Sequence, residues 1–400
     1  MSIVKNINSC NLFIGLYSIY LFLKASESST LTGILLLLIT FISFGYFLYV
    51  QFKLSQPLML KWLSILFVMF AIYGLVYIMF GETMKDYYGL EVRQLDYIKK
   101  IASSLLPVYP FYFFALKRQL NRKTIFFWSP FFIVLSAYLF SQFYNLLLVN
   151  AINAGSSAKE FTNNMGYVFV SLLPLLFIKQ KNIFIQYIYI GICALFIVAG
   201  VKRGAILIGA IVIAYYLMST IRSTQGNKKY YIIFITLIAV IIAGYYIADF
   251  ITNSNYFAYR VKNTLAGNTS GRDVIYEKIW NTFLDSNPLQ LLVGHGADSS
   301  IYYSKMLAHN DWLEIIINQG LLGVILMICY FIALYRTWRK YKKNQVIGVC
   351  IGSLFIVLFL RTFFSMSFTE YTLFTCMSFG YCSAYISKLN NKKDSNACRA

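Results

Sequence analysis

The chain has 400 residues, of which 59% are apolar and only 12% charged, a balance that excludes an ordinary soluble globular domain. Its formal charge of +20 at pH 7 comes from 35 Lys and Arg set against 15 Asp and Glu. That excess requires no nucleic acid, because a membrane protein places such charge against anionic lipid headgroups.

Apolar runs long enough to cross a hydrocarbon core of about 30 Å as helix lie near 9–23, 31–50, 58–80, 101–116, 124–148, 164–178, 183–201, 204–221, 230–250, 312–335, 345–364 and 368–387. The pattern predicts an all-α polytopic membrane protein of about twelve transmembrane helices, organised as helices one to nine over 1–250, an outer loop over 251–311, and helices ten to twelve with a tail over 312–400. The first segment has a basic lead at Lys5 but no small-x-small cleavage site, so it reads as a retained helix and not a secretory signal. The short segments near 101–116 and 164–178 carry Pro107, Pro110 and Pro174, which predicts kinks or breaks.

Lys and Arg concentrate in cytoplasmic loops. With the N-terminus inside, the inner loops hold Lys53; Lys117, Arg118, Arg122 and Lys123; Lys179 and Lys181; Arg222, Lys228 and Lys229; and Arg336, Arg339, Lys340, Lys342 and Lys343. Both termini are then cytoplasmic, and every acid except Asp394 falls in an outer loop or at an outer helix end. The seven cysteines lie in helices or near cytoplasmic ends, which implies no outer disulfide and no thiolate metal site.

Two outer connections exceed a turn: the Tyr-rich stretch 81–100, and 251–311, too long for a mere connector. Within the second, Ile275, Ile279 and Phe283 recur at four-residue spacing beside Trp280, predicting a helix ended by Asn287 and Pro288. Asn268, Thr269 and Ser270 form a sequon read as ordinary loop composition. Gly294 and Gly296 flank His295 in a predicted turn, where the histidine is expected to be solvated. There is no GxxxxGK loop, no HExxH and no DxD pair, which argues against a nucleotide-driven pump, a zinc hydrolase and a metal-dependent nucleotide-sugar transferase.

Cations also stand on the acid-rich outer side. The runs flanking Lys202 and Arg203 together cover 183–221, about 58 Å as continuous helix, so the chain must turn near Arg203. Gly200 and Gly204 permit a tight turn or a close backbone approach there. Arg272 opens the loop helix, and Arg361 lies near the outer end of segment eleven. A guanidinium fork matches diphosphate geometry, whereas the bland reading is an arginine snorkelling to headgroups. His309 and Asn310 stand at the mouth of segment ten in HNDWLEIIINQGLLG. Asp311 and Glu314 there suit a helix start, as in a capping box, and Trp312 suits an interfacial belt.

HNDWLEIIINQGLLG resembles the signature of the O-antigen ligase and O-antigen polymerase superfamily: a His-Asn pair, nine residues, glycine, two residues and a second small residue. VKRGAILIG resembles that family's arginine-glycine motif, with Lys202 where serine is frequent, and SGRDVIYEKIW through GHGADSS resembles its large periplasmic loop. The likeness is clearest over 198–325 and extends to the first half only in hydropathy.

The resemblance implies a bacterial inner-membrane enzyme with a periplasmic active face, transferring a glycan from an undecaprenyl-diphosphate carrier to an acceptor sugar hydroxyl. Arg203 and Arg272 would hold the diphosphate, with Arg361 in reserve. His309, whose side-chain type has a reference pKa of about 6.5, would be the general base and Glu314 its reserve. Asn310 and Asp311 would fix the helix start. No metal or cofactor is implied. The partners would be the lipid-linked glycan, an acceptor glycan or lipid A-core, membrane lipids and a chain-length regulator protein. Polymerase is the preferred reading and ligase the alternative. A flippase or other transporter is disfavoured because the ionisable groups gather at one face and no repeated halves are visible.

Overall fold

A computed structural model describes residues 8–25, 29–86, 89, 91–153, 163–178, 183–253, 262, 272–368 and 372–397. The sequon Asn268–Ser270, Lys179, Lys181, Cys398 and most of the first part of the 251–311 loop lie outside them. The predicted apolar segments are helices: α1 (Ser9–Ala25), α2 (Ser29–Lys53), α3 (Leu58–Phe80), α4 (Gln94–Leu105), α5 (Val108–Leu116), α6 (Arg122–Asn153), α7 (Gly166–Leu176), α8 (Ile183–Ala199), α9 (Arg203–Ser223) and α10 (Asn227–Asn253). Within the 251–311 loop lie α11 (Arg272–Leu284), α12 (Pro288–Val293) and α13 (Ser299–Ser304), and α14 (Asp311–Tyr341), α15 (Gly348–Phe364) and α16 (Leu373–Ala397) complete the chain. Among the described residues the only sheet is a hairpin pairing Met84–Lys85 with Glu91–Val92.

The chain is an all-α, membrane-embedded protein. Within the described residues five helices, α2, α3, α6, α9 and α14, are long and apolar enough to cross a membrane. Their outer rows stay apolar and exposed, as with Leu37 and Phe41 of α2, Ile72 and Leu75 of α3, and Ile325, Ile328 and Ile332 of α14. Lipid accepts such side chains, while helical backbone satisfies its own polar groups.

The two short proline-bearing segments are interior ones. Segment 101–116 is broken at Leu106 and Pro107 into α4 and α5. Helix α5 is enclosed, with Tyr109, Phe111 and Tyr112 fully buried. The Tyr109 hydroxyl meets Ser64 Oγ at 2.8 Å, and the Tyr112 hydroxyl donates to the Ser55 carbonyl at 2.9 Å. At Gly380 of α16 an added Cβ would lie 2.7 Å from Tyr112 N, so that glycine permits the α5–α16 contact. Helix α7, with Pro174 inside it, is likewise buried along its length. The break before α5 and the proline within α7 persist because protein, not lipid, surrounds them.

The 251–311 loop departs from expectation in two ways. Its predicted helix is α11, with Ile279 and Phe283 buried, but the helix ends at Leu284. Asn287 does not terminate it; its side chain caps the separate helix α12 through a capping box with Gln290, and Pro288 occupies the first turn. The polar run beyond contains α13. Ile279 and Phe283 pack with Ala308 and Ile317, seating the loop on the first half of α14.

Candidate functional site

Helix α14 begins in a clamped loop. Asn310 is its N-cap, and its Oδ1 accepts from Trp312 N at 3.0 Å and Leu313 N at 3.3 Å. Asp311 and Glu314 do not form the expected capping box. The third helical position is Leu313, so Glu314 stands one residue beyond the position from which a side chain returns to the cap. Glu314 is 5% exposed and reaches out of its helix: Oε1 accepts from Ala308 N at 2.5 Å, and Oε2 from Ser300 Oγ at 2.5 Å and Asn318 Nδ2 at 3.5 Å. Asp311, 4% exposed, accepts from Ser367 N at 2.6 Å in the stretch after α15. His309 therefore lies between an anchored Ala308 and a capping Asn310. Its side chain is exposed and its φ of 53° is left-handed, a conformation in which histidine is enriched among non-glycine residues.

The motif glycines explain the other end of this half-helix. Gly320 has φ 62° and ψ −159°, which breaks α14 where one continuous helix was predicted. A Cβ at Gly320 would lie 2.5 Å from Gly294 N and 2.6 Å from the Leu292 carbonyl. The predicted Gly294–Gly296 turn fills the break: His295 N donates to the Ile317 carbonyl at 2.9 Å, and Gly296 N to the Asn318 carbonyl at 3.0 Å. Gly323 follows from the same kink, since a Cβ there would come 2.8 Å from Ile315 Cγ2.

Two of the three arginines share a neighbourhood. The chain turns before Arg203, as predicted, but the left-handed residue is Val201, at φ 49°. The glycines serve close approach: a Cβ on Gly204 would collide with the Tyr167 hydroxyl and lie 2.7 Å from Phe364 Cβ. Arg203 opens α9, half-buried. Arg361, 4% exposed, holds its guanidinium carbon 5.0 Å from the centroid of the Tyr167 ring. That tyrosine thus touches the starts of α7 and α9 and the end of α15. Trp312, expected at an interfacial belt, is half-buried and donates its indole N–H to Thr362 Oγ1 at 2.9 Å, beside Arg361. Together with Asp311–Ser367, this bond ties the His309 end of α14 to the Arg361 end of α15. Arg272, half-buried, opens α11, which packs on α14, while Arg203 opens α9, which packs on α15.

Spacing alone missed several polar residues. His295 is half-buried and engaged on both nitrogens: Ser286 Oγ lies 2.6 Å from Nε2 and the Tyr303 hydroxyl 3.0 Å from Nδ1, and burial lowers the imidazole pKa. It borders a groove of about 450 Å³ with Tyr73, Tyr77, Phe80, Glu82 and Tyr302. A smaller cavity of about 270 Å³ brings Asp298, Asp311 and Glu314 together with Lys24 and Lys100. Burial pushes Asp298 up to about 6, with Lys100 working against the rise and Asp96 adding to it. The density of Gly, Ser and Asp in GHGADSS was the available signal, but hydropathy does not rank residues within such a stretch.

This end of the bundle therefore combines arginines, an exposed histidine, buried carboxylates and an aromatic groove. Among the described residues no group of His, Cys, Asp and Glu has the arrangement to hold a metal ion. The chain matches no family model and no curated protein.

Proposed function

We propose that the chain is a glycosyltransferase of the O-antigen polymerase and ligase type, using a glycan carried on undecaprenyl diphosphate. The observation that carries this reading is the arrangement around Tyr167: Arg361 beneath its ring, the Arg203 helix start against its hydroxyl, and the His309 helix start tied to the next residues of α15. The proposed topology has about twelve crossings, both termini in the cytoplasm, and the 251–311 loop on the periplasmic face of a bacterial inner membrane.

In this mechanism Arg203 and Arg361 neutralise the diphosphate as the anomeric bond breaks, when its bridging oxygen gains charge. Preorganised cations help most at that moment. Arg272, on the loop side, completes the grip on the donor. His309 takes the proton of the acceptor hydroxyl. Glu314 shapes the loop that presents His309, because its oxygens are engaged by Ser300, Ala308 and Asn318. The groove beside His295 offers tyrosine faces and hydroxyls to an acceptor glycan. The stored energy of the diphosphate drives transfer without nucleotide.

Polymerase is preferred over ligase because enzymes dedicated to one repeat structure are numerous. A deletion strain with its lipopolysaccharide resolved by size decides between them. One repeat on lipid A-core marks a lost polymerase, bare core a lost ligase, and lipid-linked repeats retained in the cytoplasm would refute both in favour of a flippase. His309→Asn is expected to abolish transfer with unchanged protein level, since asparagine tolerates the left-handed backbone at this exposed position; a normal glycan ladder would remove the role of His309 as base. Arg203→Lys keeps charge but loses the fork, and an expected drop in transfer of about tenfold or more tests bidentate contact.

A further inference from the structure

The opposite end of the bundle carries a second charged cavity. Lys388 lies fifteen residues beyond the start of α16, about 22 Å along that helix, and none of the Tyr167 cluster is among the residues around it. It borders a cavity of about 1050 Å³ with Arg118, Arg122 and Lys123, and no acid is among the lining residues. Phe126, Tyr381 and Tyr385 supply an aromatic wall. Arg118 is close enough for its charge to act on Lys388, and Arg122 similarly acts on Tyr381. Like charges drawn together in a cleft call for an anion.

The backbone adds an independent observation. Helix α5 ends in a Schellman motif: Arg118 N donates to the Ala115 carbonyl at 3.1 Å and Gln119 N to the Phe114 carbonyl at 2.9 Å. The left-handed position in this motif is usually glycine. Here it is Arg118, at φ 60°. An arginine there carries strain that glycine would relieve, and its side chain lines the cavity. Lys388 has a second occupation, since Nζ donates to the Ala115 carbonyl at 2.7 Å and so caps α5. Arg118 is therefore the sharper probe.

We propose that this cavity binds the phosphate of an anionic membrane phospholipid, with Arg118, Arg122 and Lys388 on the headgroup and the aromatic wall on its glycerol and acyl region. The aromatic wall favours a lipid over a small ion, and basic pockets between membrane helices are suited to such headgroups. The proposal is independent of the glycosyltransferase reading.

The test uses the detergent-solubilised full chain, titrated with phosphatidylglycerol, phosphatidylcholine or inorganic phosphate, with bound lipid counted by native mass spectrometry. Phosphatidylglycerol is expected to be retained at one per chain, at least tenfold more tightly than phosphatidylcholine. Arg118→Gly is expected to weaken retention at least fivefold while leaving the melting temperature unchanged or higher, which separates lost binding from lost folding. Lys388→Arg should bind normally, as should the double variant Arg339→Gln, Lys340→Gln, whose exposed side chains lie outside the cavity. Equal retention of the two lipids overturns the proposal, as does full retention by Arg118→Gly. Displacement of phosphatidylglycerol by equimolar inorganic phosphate would make the ligand a free anion and overturn the lipid assignment.

Discussion

The two halves of α14 obey different rules. Before Gly320, the helix buries Asp311, Glu314, Asn318 and Gln319. After it, Ile325, Ile328 and Ile332 are exposed, while Met327, Tyr330 and Leu334 pack inward. The first half holds its two acids away from water by giving them partners, Ser367 for Asp311 and Ala308 and Ser300 for Glu314, while Gln319 donates its side-chain N–H to the Tyr97 hydroxyl at 3.1 Å. From Leu321 to Tyr335 the second half is apolar apart from its Cys and Tyr side chains, and polar partners return only at Thr337 and Trp338. One apolar run therefore contains a site-building segment and a lipid-facing segment, separated by one glycine. A buried polar group without a partner is costly, and the loop before α14 removes that cost for Glu314 as Ser367 does for Asp311.

The largest expected effect breaks the boundary itself. Gly320→Ala places a Cβ against Gly294 N in a backbone region essentially reserved for glycine. A loss of more than about 4 kcal/mol is expected, seen as little folded protein recovered from membranes. Recovery with a normal melting curve would mean that the break is dispensable. Glu314→Ala acts within the first half and strands the Ala308 and Ser300 donors. The expected cost is about 3 kcal/mol, measured by thermal unfolding, with transfer activity falling in parallel as the His309 loop loosens.

Asp298→Asn sharpens the contrast by pH. The folded-state pKa of Asp298 is raised to about 6, so its favourable contribution is present below about pH 4 and lost as pH rises through 6. The amide cannot ionise, and asparagine tolerates the left-handed backbone of this residue, at φ 57°. The variant should be more stable by about 2 kcal/mol at pH 8 and indistinguishable at pH 4; equal gains at both would assign the effect to backbone alone. In the second half, Ile328→Leu should change stability by less than about 0.5 kcal/mol, because that side chain is exposed. A larger loss would place a packed partner on that face.

Much of the candidate site was legible because its residues violate a local expectation. Arg203 interrupts two apolar runs, His309 and Asn310 stand at the mouth of another, and the length of 183–221 demanded a turn. The partners of the acids were not legible. Asp311 bonds to a backbone amide 56 residues away, and Tyr167 meets a carbonyl 197 residues away. Local acids at a helix start look like caps in sequence whether they bond locally or, as here, to distant elements. His295 was read as solvated for the same reason, since Ser286 and Tyr303 reach it only after α11 and α13 have packed.

The sequence alone determined the membrane class, the helical segments and the places where cations interrupt or border apolar runs, because transfer of side chains between water and lipid is a local property summed along the chain. Tertiary structure decided which helices are enclosed, where α14 breaks, and that Asp311 and Glu314 are tethers. Those outcomes depend on whether a distant backbone donor or a neighbouring glycine arrives within hydrogen-bond or contact distance, and composition and hydropathy do not encode that separation.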